Sequence, residues 1–190
     1  VRTIHTQQTV VGVAFDRNGK LHHAETYAQG RNGSSFAVSP DGVLQAEAGD
    51  PVIIRIENQT TKGLLQIPTH STSIRSLSFA SDGRVLASGG YKMVSLWDAR
   101  TGKELGSFPS RSGLAVSKLT FSPDGTMLAV AKGREVALVG LGADQQVRKI
   151  DANCWNIASL EFGPDGKTLL TSTKRDLPQK INQPAKLWDV

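Results

Sequence analysis

The side chains best suited to chemistry are few, and each is answered by its local context. His22 and His23 are the one adjacent pair of imidazoles. Consecutive residues of a strand point to opposite faces, so the pair cannot chelate one ion together and reads as a surface pair beside a turn. Cys154 is the single cysteine, which excludes an internal disulfide framework and cannot build a thiolate metal site by itself. It fits a reducing intracellular compartment, the cytoplasm. Asp41, Asp82, Asp124 and Asp165 could serve acid–base catalysis, but all four hold one place in a repeated five-residue segment, where they shape turns. P-loop, G-x-S-x-G, H-E-x-x-H and paired-cysteine motifs are absent from the sequence. The expectation is a non-enzymatic chain with no cofactor, no metal and no catalytic residue.

The repeated segment explains what positions everything else. Phe15-Asp16-Arg17-Asn18-Gly19, Val38-Ser39-Pro40-Asp41-Gly42, Phe79-Ala80-Ser81-Asp82-Gly83, Phe121-Ser122-Pro123-Asp124-Gly125 and Phe162-Gly163-Pro164-Asp165-Gly166 share one pattern. Their glycines are spaced by 23, 41, 42 and 41 residues. Pro presets φ, Asp caps the turn, and Gly takes the positive φ of a tight hairpin. Alternation precedes each turn, as in Ile74 to Phe79, and a short apolar run follows, as in Val85 to Ser88. A third strand at Met93 to Asp98 and a fourth at Glu104 to Phe108 complete a unit. Four short antiparallel strands at this period predict an all-β chain made of propeller blades.

Leu96-Trp97-Asp98, Leu187-Trp188-Asp189 and Ser122-Pro123-Asp124-Gly125 resemble the signatures of the WD40 family. The resemblance implies a β-propeller of four-stranded antiparallel blades, commonly seven, acting as an assembly platform. About four and a half units are visible, part of a larger ring: residues 7–33, 34–68, 69–109, 110–151 and 152–190, with 1–6 a candidate to complete the last. The family often links a loop His, a strand Ser or Thr, a turn Asp and the Trp. His70, Ser88 and Trp97 fall at matching places, with Asp98, Trp188 and Asp189 as further structural positions, but Gly89-Gly90-Tyr91-Lys92 supplies no turn Asp. Ile56-Glu57 and Val139-Gly140 stand where two other units should carry Trp-Asp.

The first interval is about two strands short. Omission of a segment is favoured over a truncated blade, because a two-stranded blade leaves neighbouring edges unprotected. The start at Val1, without an initiator Met or signal peptide, fits a chain that begins inside a longer protein.

Function is expected at loops carried on this rigid frame. One face of the propeller would receive Arg111, Lys132, Arg134, Trp155, Lys174, Arg175 and Lys180, with Trp155 and Arg111 the leading contact pair. The segment from Lys174 to Pro184 is basic, proline-containing and about ten residues longer than its counterpart near Gly90. The reading is a scaffold that binds a protein or peptide partner through this face and belongs to a larger assembly. One alternative is a nucleic-acid-associated module using the basic loops. The net charge of +5 is spread over many turns, which favours a solvated surface instead. A second alternative is a regulatory or sensor domain of a larger, enzyme-containing protein. No apolar run approaches the roughly 20 residues of a membrane span.

Overall fold

The computed structural model describes residues 9–15, 21–26, 35–49, 53–71, 73–91, 93–109, 114–142, 146–152, 157–173 and 185–190. They form antiparallel sheets with no helix among the described residues. The first sheet pairs β1 (Thr9–Phe15) with β2 (Leu21–Thr26). The second contains β3 (Phe36–Val38), β4 (Leu44–Gly49), β5 (Ile53–Asn58) and β6 (Leu64–Pro68). The third contains β7 (Ile74–Phe79), β8 (Val85–Gly90), β9 (Met93–Asp98) and β10 (Glu104–Pro109). The fourth contains β11 (Val116–Phe121), β12 (Met127–Lys132), β13 (Glu135–Gly140) and β14 (Val147–Asp151). The fifth contains β15 (Ile157–Phe162), β16 (Thr168–Thr173) and β17 (Lys186–Asp189). Within each sheet the strands follow chain order, as short hairpin connections require.

The turns work as their residue types dictate. Asp41, Asp82, Asp124 and Asp165 each accept the amide two residues on, at 2.9–3.0 Å. Ser39 and Ser122 add a hydroxyl donated to the same carboxylate at 2.6 Å. The Ser122 hydroxyl, then the Thr126 amide, hold the Asp124 carboxyl below its ordinary value of 3.8. Asp98 opens a different turn, at the end of β9. The Thr101 amide and hydroxyl, and the Arg100 amide, converge on its Oδ1, and the first of these does most to hold its carboxyl low.

Packing follows from the stacking of sheets. The first strands of neighbouring sheets lie side by side, β1 with β3, β3 with β7, β7 with β11 and β11 with β15. A middle strand is therefore covered on both faces: β8 and β12 are buried from their second residue onward. The outermost strands β10 and β14 are mostly exposed. Ala46, Ile54 and Ile56 of the second sheet pack with Leu77, Leu86 and Trp97 of the third. Ala87 and Val94 of the third meet Val116, Leu119 and Val130 of the fourth. Ala129, Ala131 and Val136 of the fourth meet Ile157, Leu160 and Leu169 of the fifth. Leu86, Leu128 and Leu169 are wholly buried, and each contributes about 1.5–3 kcal/mol by leaving water. A polar tie crosses one seam, where the Leu119 amide donates to Ser76 Oγ at 2.9 Å.

A β-bulge recurs at one place in the innermost strands. The register slips between Val10 and Gly12, Ile74 and Ser76, Val116 and Lys118, and Ile157 and Ser159. Bulges sharpen twist, which lets four short strands turn from the inside of a blade to its outside.

The register corrects one assignment made from spacing. Leu44 pairs with Asn58 and Gln45 with Glu57, as Val85 pairs with Asp98 and Leu86 with Trp97. Glu57-Asn58, not Ile56-Glu57, therefore stand in the places of Trp97-Asp98. Asn58 confirms it by accepting the Thr60 and Thr61 amides, as Asp98 accepts those of Arg100 and Thr101. The β4–β5 connection is one residue longer than β8–β9, and that residue displaced the alignment.

A polar wall results. On the face of the second sheet turned away from the third, Gln45 lies opposite Glu57 and Glu47 opposite Arg55. Arg55 is exposed, and Glu57 reaches Lys62 at 3.8 Å. Partial burial raises the Glu47 carboxyl, against the pull of Arg55. The flanking strands add Phe36, Val38 and Leu64 to the same face, opposite Glu47, Gln45 and Glu57.

Candidate functional site

Sequence reasoning gathered seven residues on one loop face. Arg111, Trp155, Lys174, Arg175 and Lys180 lie outside the described residues, as does Cys154. Lys132 and Arg134 flank Gly133, which turns from β12 into β13 with φ +55°. Arg134 is exposed and stands 4.0 Å from the Asp151 carboxylate, a surface pair worth little in water.

Beside Arg134 the structure places two apolar residues that sequence reasoning did not select. Tyr91 is 40% exposed and Leu114 is 47% exposed. A Cβ added at Gly133 would meet Leu114 Cδ1, so this leucine lies directly on the turn that carries Arg134. Tyr91 is held by an isolated bridge to Ala115 and by its amide, which donates to Ser73 O at 3.2 Å. Tyr91 thus sits in the β8–β9 connection of the third sheet, Leu114 just before β11, and Arg134 in the β12–β13 turn of the fourth sheet.

Lys132 is placed differently from Arg134. It is the last residue of β12, and its side chain is only 9% exposed. Its ammonium is 3.7 Å from Glu135 Oε1, while Lys149 donates to Glu135 Oε2 at 3.2 Å. Glu135 Oε1 is buried without a hydrogen bond. These three charges close one end of a cleft of about 390 Å³ between the outer halves of the third and fourth sheets. Val94, Phe108 and Pro109 form one wall, and Val130, Ala137, Val139 and Val147 the other. Lys132, expected on the basic loop face, thus lines an inter-sheet cleft.

The structural residues divide as well. The Trp97 indole donates to Ser88 Oγ at 2.8 Å, a buried pair. His70 is exposed and does not extend that pair into a longer network. Trp188 repeats the arrangement by donating to Thr171 Oγ1 at 3.0 Å, and the Lys186 ammonium lies 5.6 Å above its ring. Thr171 was not singled out from sequence. Its signal is its place five residues after Gly166, matching Ser88 after Gly83. Asp189 is exposed at the end of β17.

Chemistry of other kinds finds little support among the described residues. His22 and His23 take consecutive register positions opposite Ala14 and Val13. No group of three or more His, Cys, Asp or Glu is arranged to hold a metal ion among the described residues. No described helix is long and apolar enough to cross a membrane.

Comparison with known proteins places this architecture. Residues 62–98 match the family model "WD domain, G-beta repeat". An Arabidopsis thaliana protein, U3 small nucleolar RNA-associated protein 18 homolog, is 29% identical over 82% of this chain. The match spans 29% of that relative's own length. Kuenenia stuttgartiensis hydrazine synthase contains a similar fold, with a TM-score of 0.69 and 21% identity. That match covers 86% of this chain and 49% of the other. The Cps50 (Swd1) β-propeller domain of Myceliophteria thermophila aligns with a TM-score of 0.62 at 21% identity, covering 76% and 50%. WD40 propeller domains generally act as protein-interaction scaffolds and are typically non-enzymatic. With its four-stranded antiparallel sheets stacked side by side, the chain has a β-propeller fold, and residues 62–98 within it match a WD40 repeat.

Proposed function

We propose that the chain is a non-enzymatic scaffold that binds a protein partner through the loop face carrying Tyr91, Leu114 and Arg134. The observation that carries this reading is the exposed Tyr91–Leu114 pair beside Arg134, fixed by the Tyr91–Ala115 bridge. Aromatic rings and arginines dominate binding energy at interfaces, and a rigid backbone reduces the entropy lost on docking. Arg111, Trp155, Lys174, Arg175 and Lys180 extend the same face in this reading, which makes its rim basic and suits an acidic partner surface.

The relative's printed name, an RNA-associated protein, favours a second reading in which the face serves an assembly that contains RNA. Two variants separate the two. Tyr91→Ala with Leu114→Ala should release a protein partner while leaving the fold intact. Lys174→Ala, Arg175→Ala and Lys180→Ala together should chiefly weaken contact with phosphates and flatten its salt dependence. Retention of the protein partner by the Tyr91/Leu114 variant would refute the first reading.

A further inference from the structure

We propose that the cleft between the third and fourth sheets is a docking site for an extended segment of a partner protein that inserts a tryptophan-sized side chain with an acidic residue beside it. This deepens the scaffold reading and rests on it, but at a different place from the loop face. The cleft has a specific cause. Leu86, Leu128 and Leu169 are matching positions of β8, β12 and β16, and their partners across the hairpin are Trp97, Val139 and Trp188. Two residues further on stand Ser88, Val130 and Thr171. At the second–third and fourth–fifth seams an indole and its hydroxyl partner pack against the neighbouring sheet. At the third–fourth seam two valines take their places, and both line the cleft of about 390 Å³.

With no indole at this seam among the described residues, Val94, Val130, Ala137 and Val139 pack as the floor of an open cleft with Phe108 against them, and the cleft's end is charged in one sense. Lys132 and Lys149 share a single carboxylate, Glu135, so the trio carries a net positive charge. The Lys132 side chain is only 9% exposed, and its ammonium lies beyond hydrogen-bond distance of Glu135. Glu135 Oε1 in turn is buried without a donor. A large apolar side chain would fill the space, and an adjacent carboxylate would meet the two ammonium groups. Lys149 lies on the outermost strand, so the charged end is reached from the side of the blade.

The test uses the folded chain, isotopically labelled, titrated with the capped tetrapeptide Gly-Trp-Asp-Gly and with its Ala-for-Trp, Asn-for-Asp and Lys-for-Asp versions. The proposal predicts saturable amide shifts at Val130, Val139 and Val147 with the Trp-Asp peptide. Binding should be at least about tenfold weaker for the Ala and Lys versions. Lys132→Met should weaken the Trp-Asp peptide about tenfold and the Trp-Asn peptide far less. Val139→Trp should fill the cleft from within and abolish binding, and Ala137→Leu should do the same if the tryptophan variant fails to fold. No saturable shift at millimolar Trp-Asp peptide, or binding that survives filling of the cleft, overturns the proposal. A chain that binds none of these peptides yet holds a partner through Tyr91 and Leu114 would refute the cleft alone. Peptide binding with an unchanged partner in the Tyr91/Leu114 variant would refute the loop face instead.

Discussion

Replacing Trp97 by alanine would empty the seam between the second and third sheets. The side chain is 3% exposed and packs in one cluster with Leu86, Ile54 and Ile56. Its removal should cost about 3–5 kcal/mol, the range for a buried aromatic whose site collapses only in part. The change also strips Ser88 Oγ, itself buried, of its indole donor, which places the expected cost toward the upper end. Trp97→Phe separates the two contributions. It keeps most of the apolar contact and loses the hydrogen bond, so about 1–2 kcal/mol is expected. Urea denaturation followed by far-UV circular dichroism gives both values from midpoint and slope. The half-buried Trp188, at the fifth sheet, should cost less when cut to alanine. A loss below about 1 kcal/mol for Trp97→Ala would show that the indole is not enclosed between sheets, and the stacking described here would be wrong.

Three further outcomes follow from local geometry. A carboxyl titration by NMR should place Asp124 below 3.8, because the Ser122 hydroxyl favours its charged form. With the folded value depressed, its contribution to stability is present above the unfolded value and is lost as pH falls through the folded one; Ser122→Ala should move the titration back toward 3.8. Gly90→Ala should destabilise by more than about 2 kcal/mol, since the new Cβ would collide with Ser73 O, whereas Gly106→Ala, with open space around it, should be near neutral; thermal melts compare them. Lys62 holds φ +59° where the matching turn of the third sheet has Gly102 at +73°, so Lys62→Gly should stabilise by about 1 kcal/mol, read from the same denaturation curves.

The sheets were legible because one turn chemistry recurs. Ser-Pro-Asp-Gly and its variants mark the first hairpin of each sheet, and Asp41, Asp82, Asp124 and Asp165 cap those turns as their residue type requires. The Trp97–Ser88 pair was legible for the same reason, being fixed by distance from Gly83. The bulges were not, because a slipped register leaves the alternation of residues such as Ile74 to Phe79 looking regular. The polar wall was hidden by one extra residue between β4 and β5, which moved Glu57 out of the tryptophan column. Lys132 looked like a loop cation because a glycine follows it. Only the stacking of two sheets shows that its stem enters a cleft. Tyr91 and Leu114 were missed since exposure of an apolar residue is decided by tertiary packing, on which spacing is silent.

The central claim is that this propeller works by holding another protein. It is tested most directly by isolating the chain with its bound material at moderate salt, with and without nuclease, and measuring the stoichiometry of what remains. The account predicts one protein partner retained in constant ratio after nuclease, and lost in the Tyr91→Ala, Leu114→Ala variant. Release of all bound protein by nuclease, or equal retention by that variant, would contradict it.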